Sequence, residues 1–163
     1  MLAPPENPET FSARLQVQEA EEAAKRLGVA LIVVPAPSRA YEQAFATMVA
    51  ERAGALFVSA RPILYGDRAR IIALAARHRL PAIYQFPDHV KEGGLIAYGA
   101  DLRALNRRVA AIVDRIFKGA DPATLPVEQA TELRLALNLR TAEALGLTIP
   151  PAVLARADEV IRD

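Results

Sequence analysis

The side chains in this sequence that could act on another molecule follow the ends of apolar runs. Ser59 ends the run at 55–59 (ALFVS) and Arg61 lies two residues beyond it, while Gln85 ends the run at 81–85 and Phe86 follows directly. A guanidinium such as that of Arg61 binds a carboxylate or another anion through two parallel hydrogen bonds. Ser59 has no evident base beside it, so nucleophilic catalysis is not indicated. Its hydroxyl either bonds a ligand or satisfies its own loop.

Aromatic rings lie near these polar residues in the sequence. Tyr65 and Tyr98, together with Phe86, lie at or just past the predicted strand ends, where rings with polar tips suit an organic ligand. The alternative is that these rings fill the rim of the sheet. Tyr84 falls inside a strand and is predicted to be core. The predicted ligand-binding set is Ser59, Arg61, Tyr65, Gln85, Phe86 and Tyr98.

Motifs for other chemistries are absent from the sequence. It has no dinucleotide fingerprint, P-loop, nucleophile elbow or zinc-protease motif, and no cysteine. Of its two histidines, His78 is predicted as a partly exposed residue near a helix end. His89 lies beside Asp88 in a predicted turn, without further ligands at metal spacing. We therefore expect no catalytic residue, metal or cofactor, and an enzyme of the flavodoxin-like class is the less favoured alternative.

The charge balance and hydropathy narrow the class of partner. The formal net charge of +1 over 163 residues gives no strong field for nucleic acid, and no apolar run approaches the length of a membrane span. The first residues lack the basic and long apolar regions of a signal peptide, so the chain as given is expected in the cytoplasm. A small-molecule ligand is the expected partner.

The elements that must position these residues alternate along the chain. The central segment at 55–99 predicts strand, helix, strand, polar turn (88–94) and strand. Fully apolar strands between amphipathic helices indicate a parallel sheet covered on both faces. The fold class is therefore α/β, a three-layer α/β/α sandwich with a doubly wound, mostly parallel sheet. Ligands of such sheets bind beyond the carboxyl ends of the strands.

The remaining elements complete a single domain. Residues 1–8 are predicted as a loose lead-in and 9–163 as one α/β lobe, of which 121–163 form a tail with one strand (132–138) and two short helices. A first helix runs from Asn7 to Leu27 and ends at Gly28, and a strand follows at 29–34. Caps are predicted at Ser38 (helix 39–53), at Asp101 (helix to 118) and at Asn138. The apolar stripe expected to face inward on the 101–118 helix consists of Leu102, Leu105, Val109, Ile112, Val113 and Ile116.

Several segments together resemble a known family. They are NPET with its helix, ALFVSARP, HRLPAIYQFPDHVKEGGLIAYGADL, IFKGADPATLPVE and LALNLRTAEALGLTIPPAVLARADEVI. With these segments, nearly the whole chain is similar to the ABC-transporter substrate-binding proteins of the tryptophan/tyrosine type. Those proteins have the type I periplasmic-binding-protein fold. The match covers the second half of such proteins, which are about twice as long, with an export signal and a first lobe.

The resemblance implies a solute-binding component that binds a small organic ligand such as an amino acid or a carboxylate. It further implies ABC permease subunits as partners, and a periplasmic or lipoprotein-anchored location for the full-length family. In relatives, the strand end matching 59–62 bears threonine, aspartate and asparagine, and the turn matching 85–88 bears serine and acids suited to an ammonium group. Here they are Ser-Ala-Arg-Pro and Gln-Phe-Pro-Asp, so Arg61 favours an anion.

A single lobe without its partner lobe exposes apolar surface and sheet edge, so a homodimer is expected. The alternative function is a cytoplasmic sensor or an oligomeric scaffold, unconnected with transport and built on an orphan lobe of this fold. A preceding lobe and export signal in the intact reading frame would favour transport.

Overall fold

The computed structural model describes residues 1–3, 11–127 and 132–162, and it has a mixed α/β fold. The strands are β1 (Leu2–Ala3), β2 (Val34–Pro35), β3 (Leu56–Phe57), β4 (Ala82–Tyr84), β5 (Ile96–Ala100), β6 (Leu133–Asn138) and β7 (Glu159–Ile161). The helices are α1 (Phe11–Leu27), α2 (Tyr41–Ala50), α3 (Pro62–Gly66), α4 (Arg68–Arg77), α5 (Pro87–Lys91), α6 (Leu102–Phe117), α7 (Leu139–Leu145) and α8 (Pro151–Leu154). The start predicted at Asn7 for the first helix lies outside the described residues.

The sheet is mostly parallel, as predicted. Its five-stranded part has the order β3-β4-β5-β6-β7, in which β3, β4 and β5 are parallel neighbours. The sixth strand returns antiparallel to β5, with Gly99 opposite Arg134, and β7 runs parallel to β6. The parallel pair β1–β2 adjoins β3 through a bridge between Leu2 and Val58. The carboxyl ends of β1, β3, β4 and β5 therefore share one edge.

The core lies on one face of this sheet. Buried side chains of β3, β4 and β5 meet those of α2 and α4, which include Tyr41, Phe45, Met48, Ile71 and Leu74. On the opposite face, α1 forms an open groove with Phe57 and Gln85, and Phe57 and Ile83 remain partly exposed there. Helices on both faces agree with the predicted sandwich, but the second helical layer covers less of the sheet.

Two predicted helix caps are confirmed by their hydrogen bonds. The Asp101 carboxylate accepts the backbone N–H of Arg103 at 2.9 Å and of Ala104 at 3.1 Å, which fixes the start of α6. The Asn138 side-chain oxygen accepts the N–H of Thr141 at 3.0 Å and starts α7. Short polar side chains satisfy N–H groups that a helix leaves unpaired at its first turn, so such starts are visible in sequence.

The amino-terminal segment differs from its prediction. Leu2–Ala3, placed in the loose lead-in at 1–8, is a buried strand, and residues 4–8 lie outside the described residues. The Met1 carbonyl accepts the N–H of Val34 at 2.9 Å, and the Met1 amino group donates to the carbonyl of Ile32 at 2.6 Å. The strand β1 has two residues, and they pair with Val34 and Pro35. The observed strand β2 is therefore two residues long and overlaps the strand predicted at 29–34 at Val34. Ser38 has a positive φ of 52° and caps no helix; the chain enters α2 from Ala40 instead.

The carboxyl-terminal tail also differs. The helix predicted from 150 to 161 ends with α8, and the segment continues as β7. Asp158 sets this change, since its N–H donates to the Leu135 carbonyl at 2.8 Å and its carboxylate accepts the Leu135 N–H at 2.8 Å. Short apolar segments fit helix and strand alike. Here the segment forms a strand because it pairs with the edge of β6 that β5 leaves open. The polar turn predicted at 88–94 instead begins with the short helix α5.

The apolar stripe predicted to face inward on α6 is not buried. Of its members, Leu102, Val109 and Val113 are exposed, Val109 to 51%, and the other three are half-buried, while Ala104 is the buried residue of this helix. Leu27 at the end of α1 is exposed as well. Helical spacing identifies an apolar face but not what covers it. Within the described ranges, no helix has both the length and the apolarity needed to cross a bilayer.

Candidate ligand-binding site

Two short helices start at the carboxyl edge of the sheet and fix the residues there. The third helix follows β3 after Arg61, and α5 follows β4 after Phe86. Both Arg61 and Phe86 have extended backbones, and each precedes a proline at the first helical position. A residue before proline is held out of the helical region, and proline is preadapted to start a helix. The sequence therefore places both residues at the strand ends, as predicted.

Aromatic rings from these elements form one cluster at the edge. The rings of Tyr65 and Phe86 meet edge to face, with centroids 5.3 Å apart. The His89 ring stacks on Tyr84 at 4.8 Å and lies edge-on to Tyr65 at 5.5 Å. Tyr84 is buried, as predicted for core. Such ring pairs contribute about 0.5–1.5 kcal/mol each beyond burial, so this cluster is a rigid apolar wall.

Polar contacts fix the orientation of Tyr65. Its hydroxyl donates to the Asp88 carboxylate at 2.8 Å, which raises the pKa of the Tyr65 hydroxyl. The Arg68 guanidinium lies 4.7 Å from the centre of the Tyr65 ring and bonds Glu92 at 2.8 Å. The Tyr65 ring is therefore held by α4 and α5 as well as by its own helix.

His89 is buried in this cluster, with 3% of its surface exposed, where the sequence had placed it in a turn. Its Nδ1 lies 3.0 Å from the Phe86 carbonyl, so Nδ1 carries the proton and donates to that oxygen. Burial lowers the pKa of His89, and the hydrogen bond to Phe86 opposes that shift weakly. The side chain is neutral and packs against the rings of Tyr65 and Tyr84 inside the cluster.

Acidification should destabilise the fold through His89. As the pH falls below the ordinary histidine pKa of about 6.5, the unfolded chain takes up a proton that the folded chain refuses. Stability from this residue is complete above that pH and decreases below it, by at most about 1.4 kcal/mol per pH unit. Urea unfolding at several pH values between about 7.5 and 5.5 measures this slope. We expect His89→Phe to flatten this slope, and a slope in the variant equal to that of the unsubstituted protein would contradict the assignment.

Ser59 and Arg61 lie at the end of β3. The Ser59 hydroxyl is buried, with 4% of the residue exposed, and it has no hydrogen-bond partner among the described residues. Its carbonyl accepts the N–H of Arg61 at 3.0 Å. A buried hydroxyl without a partner is costly, and both interpretations from sequence, a ligand contact and a hydroxyl satisfied by its own loop, stay predictions.

Gln85 and Tyr98 are separated from the aromatic cluster. Gln85 lines the groove under α1, on the other face of the sheet. Tyr98 is central in β5, opposite Leu135, and is 47% exposed rather than located at a strand end. The structure therefore brings Tyr65 and Phe86 together and places Ser59 and Arg61 along the same edge. Gln85 and Tyr98 lie apart from this cluster.

A cavity of about 210 Å³ opens beside the cluster. It is lined by Phe86, Pro87, Asp88, Lys91, Ala100, Asp101, Leu102, Arg103, Arg107, Arg134 and Glu159. Phe86 is the member that the sequence had predicted. The charged residues come from α5, the start of α6, β6 and β7, and sequence reasoning missed them as ligand contacts. Asp88 was visible as an acid after a strand, and Asp101 had been assigned to capping alone.

Two ion pairs neutralise part of this cavity. The Arg134 Nε lies 2.6 Å from an Asp101 oxygen, and the Lys91 Nζ lies 3.4 Å from Glu159. The backbone N–H of Ala104 does most to hold the pKa of Asp101 below its usual value, and Arg103 N–H and Arg134 add to it. Asp101 therefore stays ionised and bonded to Arg134 and to the start of α6. The cavity thus contains charges of both signs, some of them in ion pairs and others outside them.

The fold and this edge together are those of an α/β ligand-binding lobe. The chain belongs to the ABC transporter substrate binding protein family, whose family model matches residues 6–161. The family assignment agrees with the resemblance drawn from the sequence.

Solved structures with the same fold cover nearly the whole chain. A conserved domain protein from Vibrio cholerae is 25% identical, with a TM-score of 0.82 over 98% of this chain. An ABC domain from Streptococcus pneumonia in complex with L-Trp is 22% identical, with a TM-score of 0.83 over 98% of this chain. A ligand-free, open substrate binding protein from Clostridium difficile, described as adhesive, is 16% identical, with a TM-score of 0.66 over 99%.

The chain spans about half the length of these structures, with coverage of 54%, 56% and 54% of theirs. No curated protein matches the chain.

Proposed function

We propose that this chain is the solute-binding component, or one lobe of it, of an ABC transporter, and that it binds a small organic ligand at the carboxyl edge of its sheet. The observation that carries the proposal is the cavity beside Phe86, where a fixed aromatic wall meets charged side chains. Organic ligands are bound by such combinations of apolar wall and a few polar groups. At about 210 Å³ the cavity is smaller than complete ligand sites, which suits one wall of a cleft.

The ligand class that we propose is an amino acid or a carboxylate. The ring of Phe86, which lines the cavity and is held by Tyr65, favours an aromatic or other apolar side chain, and the L-Trp complex of the Streptococcus neighbour is consistent with this. Ser59 adds an unpartnered hydroxyl at the same edge. The roles of Arg61, Gln85 and Tyr98 in binding stay predictions.

The proposed mechanism is binding without turnover. Membership of a substrate-binding family supports this, as does an edge where the residues serve to hold rings and pair charges. Permease subunits of an ABC transporter are the proposed protein partners, and outside the cytoplasmic membrane is the proposed place of action.

The proposal is tested by titrating the protein with L-tryptophan, L-tyrosine and L-phenylalanine and following heat release and native mass. We expect at least one of the three amino acids to bind and to keep its mass, which shows binding without turnover. Phe86→Ala should weaken that binding about tenfold, as loss of a buried ring contact does. Phe117→Ala is the matched control, since Phe117 is 86% exposed at the far end of α6. Absence of binding by all three amino acids, equal weakening by both substitutions, or conversion of a bound compound would contradict the proposal.

The alternative of a sensor or oligomeric scaffold is favoured by the exposed apolar stripe of α6, and the homodimer stays a prediction. The same native mass measurement separates the two functions. A dimer that takes up none of the three amino acids would favour the scaffold, and a species that takes one up would favour transport.

A further inference from the structure

Two arginines of the cavity are without an ionic partner in the described part of the chain. Arg103 and Arg107 both line it, and neither forms a salt bridge to a described acidic residue. They are four residues apart on α6, so their side chains lie on one face of the helix, one above the other. The cavity therefore contains two adjacent guanidinium groups that form no salt bridge with any described carboxylate.

The other charges of the cavity are already engaged. Arg134 is paired with Asp101, and Lys91 with Glu159. Asp88 accepts the hydroxyl of Tyr65 on the opposite side, next to Phe86. Arg103 and Arg107 are consequently the groups that an incoming anion would meet.

The placement of these arginines is locally unfavourable. Like charges at i and i+4 repel by about 0.2–0.5 kcal/mol. Arg103 is also in the first turn of α6, where the helix dipole is positive and disfavours cations. An anion between the two guanidinium groups would offset both effects.

We propose that Arg103 and Arg107 form an anion subsite that binds the carboxylate of the ligand, while its apolar part lies against Phe86. This inference rests on the proposed function and adds the two residues that bind the carboxylate of the ligand. Two guanidinium groups bind a planar carboxylate with paired, charge-assisted hydrogen bonds. A singly charged carboxylate is favoured over a phosphate because Asp88 in the same cavity repels a more highly charged anion.

The test compares phenylacetate with phenylacetamide, which has nearly the same shape and no charge. Backbone amide chemical shifts at 86–91 and 101–107 are followed during titration of the full chain. We expect phenylacetate to shift both regions and to bind about tenfold tighter than the amide, as a charged hydrogen bond contributes. In the double variant Arg103→Gln/Arg107→Gln the preference for phenylacetate over phenylacetamide should fall to about onefold, because the charged hydrogen bonds to the carboxylate are lost.

Arg115→Gln is the control, because Arg115 lies on the same helix and does not line the cavity. Equal binding of the two compounds by the unsubstituted protein, or an unchanged preference in the double variant, would overturn the inference. If L-tryptophan binds and phenylacetate does not, the inference fails and the proposed function stands. If neither binds, both fail. A double variant with an unaltered far-ultraviolet spectrum and thermal midpoint shows that a lost preference is not a loss of fold.

Discussion

Replacing Gly99 by alanine should lower the free energy of unfolding by about 3 kcal/mol, at the upper end of the range for overpacking. Gly99 is in β5, and a Cβ atom there would collide with the backbone carbonyl oxygen of Gln85 and come within 2.8 Å of the Gln85 Cγ. A backbone oxygen cannot rotate away as the tip of a flexible side chain can. Relief therefore requires β4 and β5 to separate at the end that carries the candidate site.

Urea unfolding of the alanine variant measures this loss, and Gly66→Ala provides the matched control. Gly66 is exposed at the end of α3, nothing lies within 4 Å of its added Cβ, and its φ is not positive. The control should be neutral or stabilised by up to about 1 kcal/mol, because alanine restricts the unfolded chain. Similar midpoints for the two variants would show that the contact between Gly99 and Gln85 is loose in solution.

The same substitution also bears on binding. Gln85 directly precedes Phe86, so a shift of the Gln85 backbone moves the ring that forms the apolar wall of the cavity. Gly99→Ala should therefore weaken ligand binding even at temperatures where the variant stays folded. This links the closeness of two strands to the shape of the site.

Local sequence patterns were sufficient for the parts of this fold that are determined locally. Asp101 and Asn138 cap the helices that they were expected to cap, because a cap is a contact within three residues. The apolar runs at 55–59 and 81–85 contain β3 and β4, although Phe57 and Ile83 stay partly exposed on the α1 face. Arg61 and Phe86 lie at the strand ends because a proline follows each.

The cavity could not be predicted in the same way. Arg134 reaches Asp101 because β6 returns antiparallel to β5 with Gly99 opposite Arg134, a register set by pairing between distant segments. Arg107 lines the cavity because the fold brings α6 to this edge, which the spacing of residues within the helix does not reveal. Sequence reasoning therefore found the wall formed by Phe86 and missed the charges that face it.

The final segments show the same limit. Strands of two or three residues, such as β1 and β7, give too short a pattern to be recognised, and their partners determine them. The exposed stripe of α6 is the converse case, in which the pattern is clear and the described residues do not cover it. The solved structures in which this fold occurs are about twice as long as this chain.

The second large effect is expected from Asn138→Ala, which should cost about 2 kcal/mol. Asn138 is 6% exposed, its side-chain nitrogen donates to the carbonyl of Val90 at 3.1 Å, and its oxygen caps α7 at Thr141. Alanine removes the cap and leaves the carbonyl of a fully buried residue without that donor. Asn106→Ala, at an exposed position of α6, is the control and should change stability by less than about 0.5 kcal/mol.

Asn138→Asp distinguishes the two hydrogen bonds. A carboxylate still accepts the N–H of Thr141 and so keeps the cap, but it cannot donate to Val90 and places a negative charge against that carbonyl. Aspartate should therefore destabilise at least as much as alanine near neutral pH, and the loss should shrink in acid, where the protonated group donates again. Val90 is in α5, which also carries His89 of the aromatic cluster. Faster hydrogen exchange at 87–91 in both variants would therefore show that Asn138 holds α5 in place beside the site. Aspartate as stable as asparagine would instead mean that the cap alone accounts for the effect of the alanine substitution.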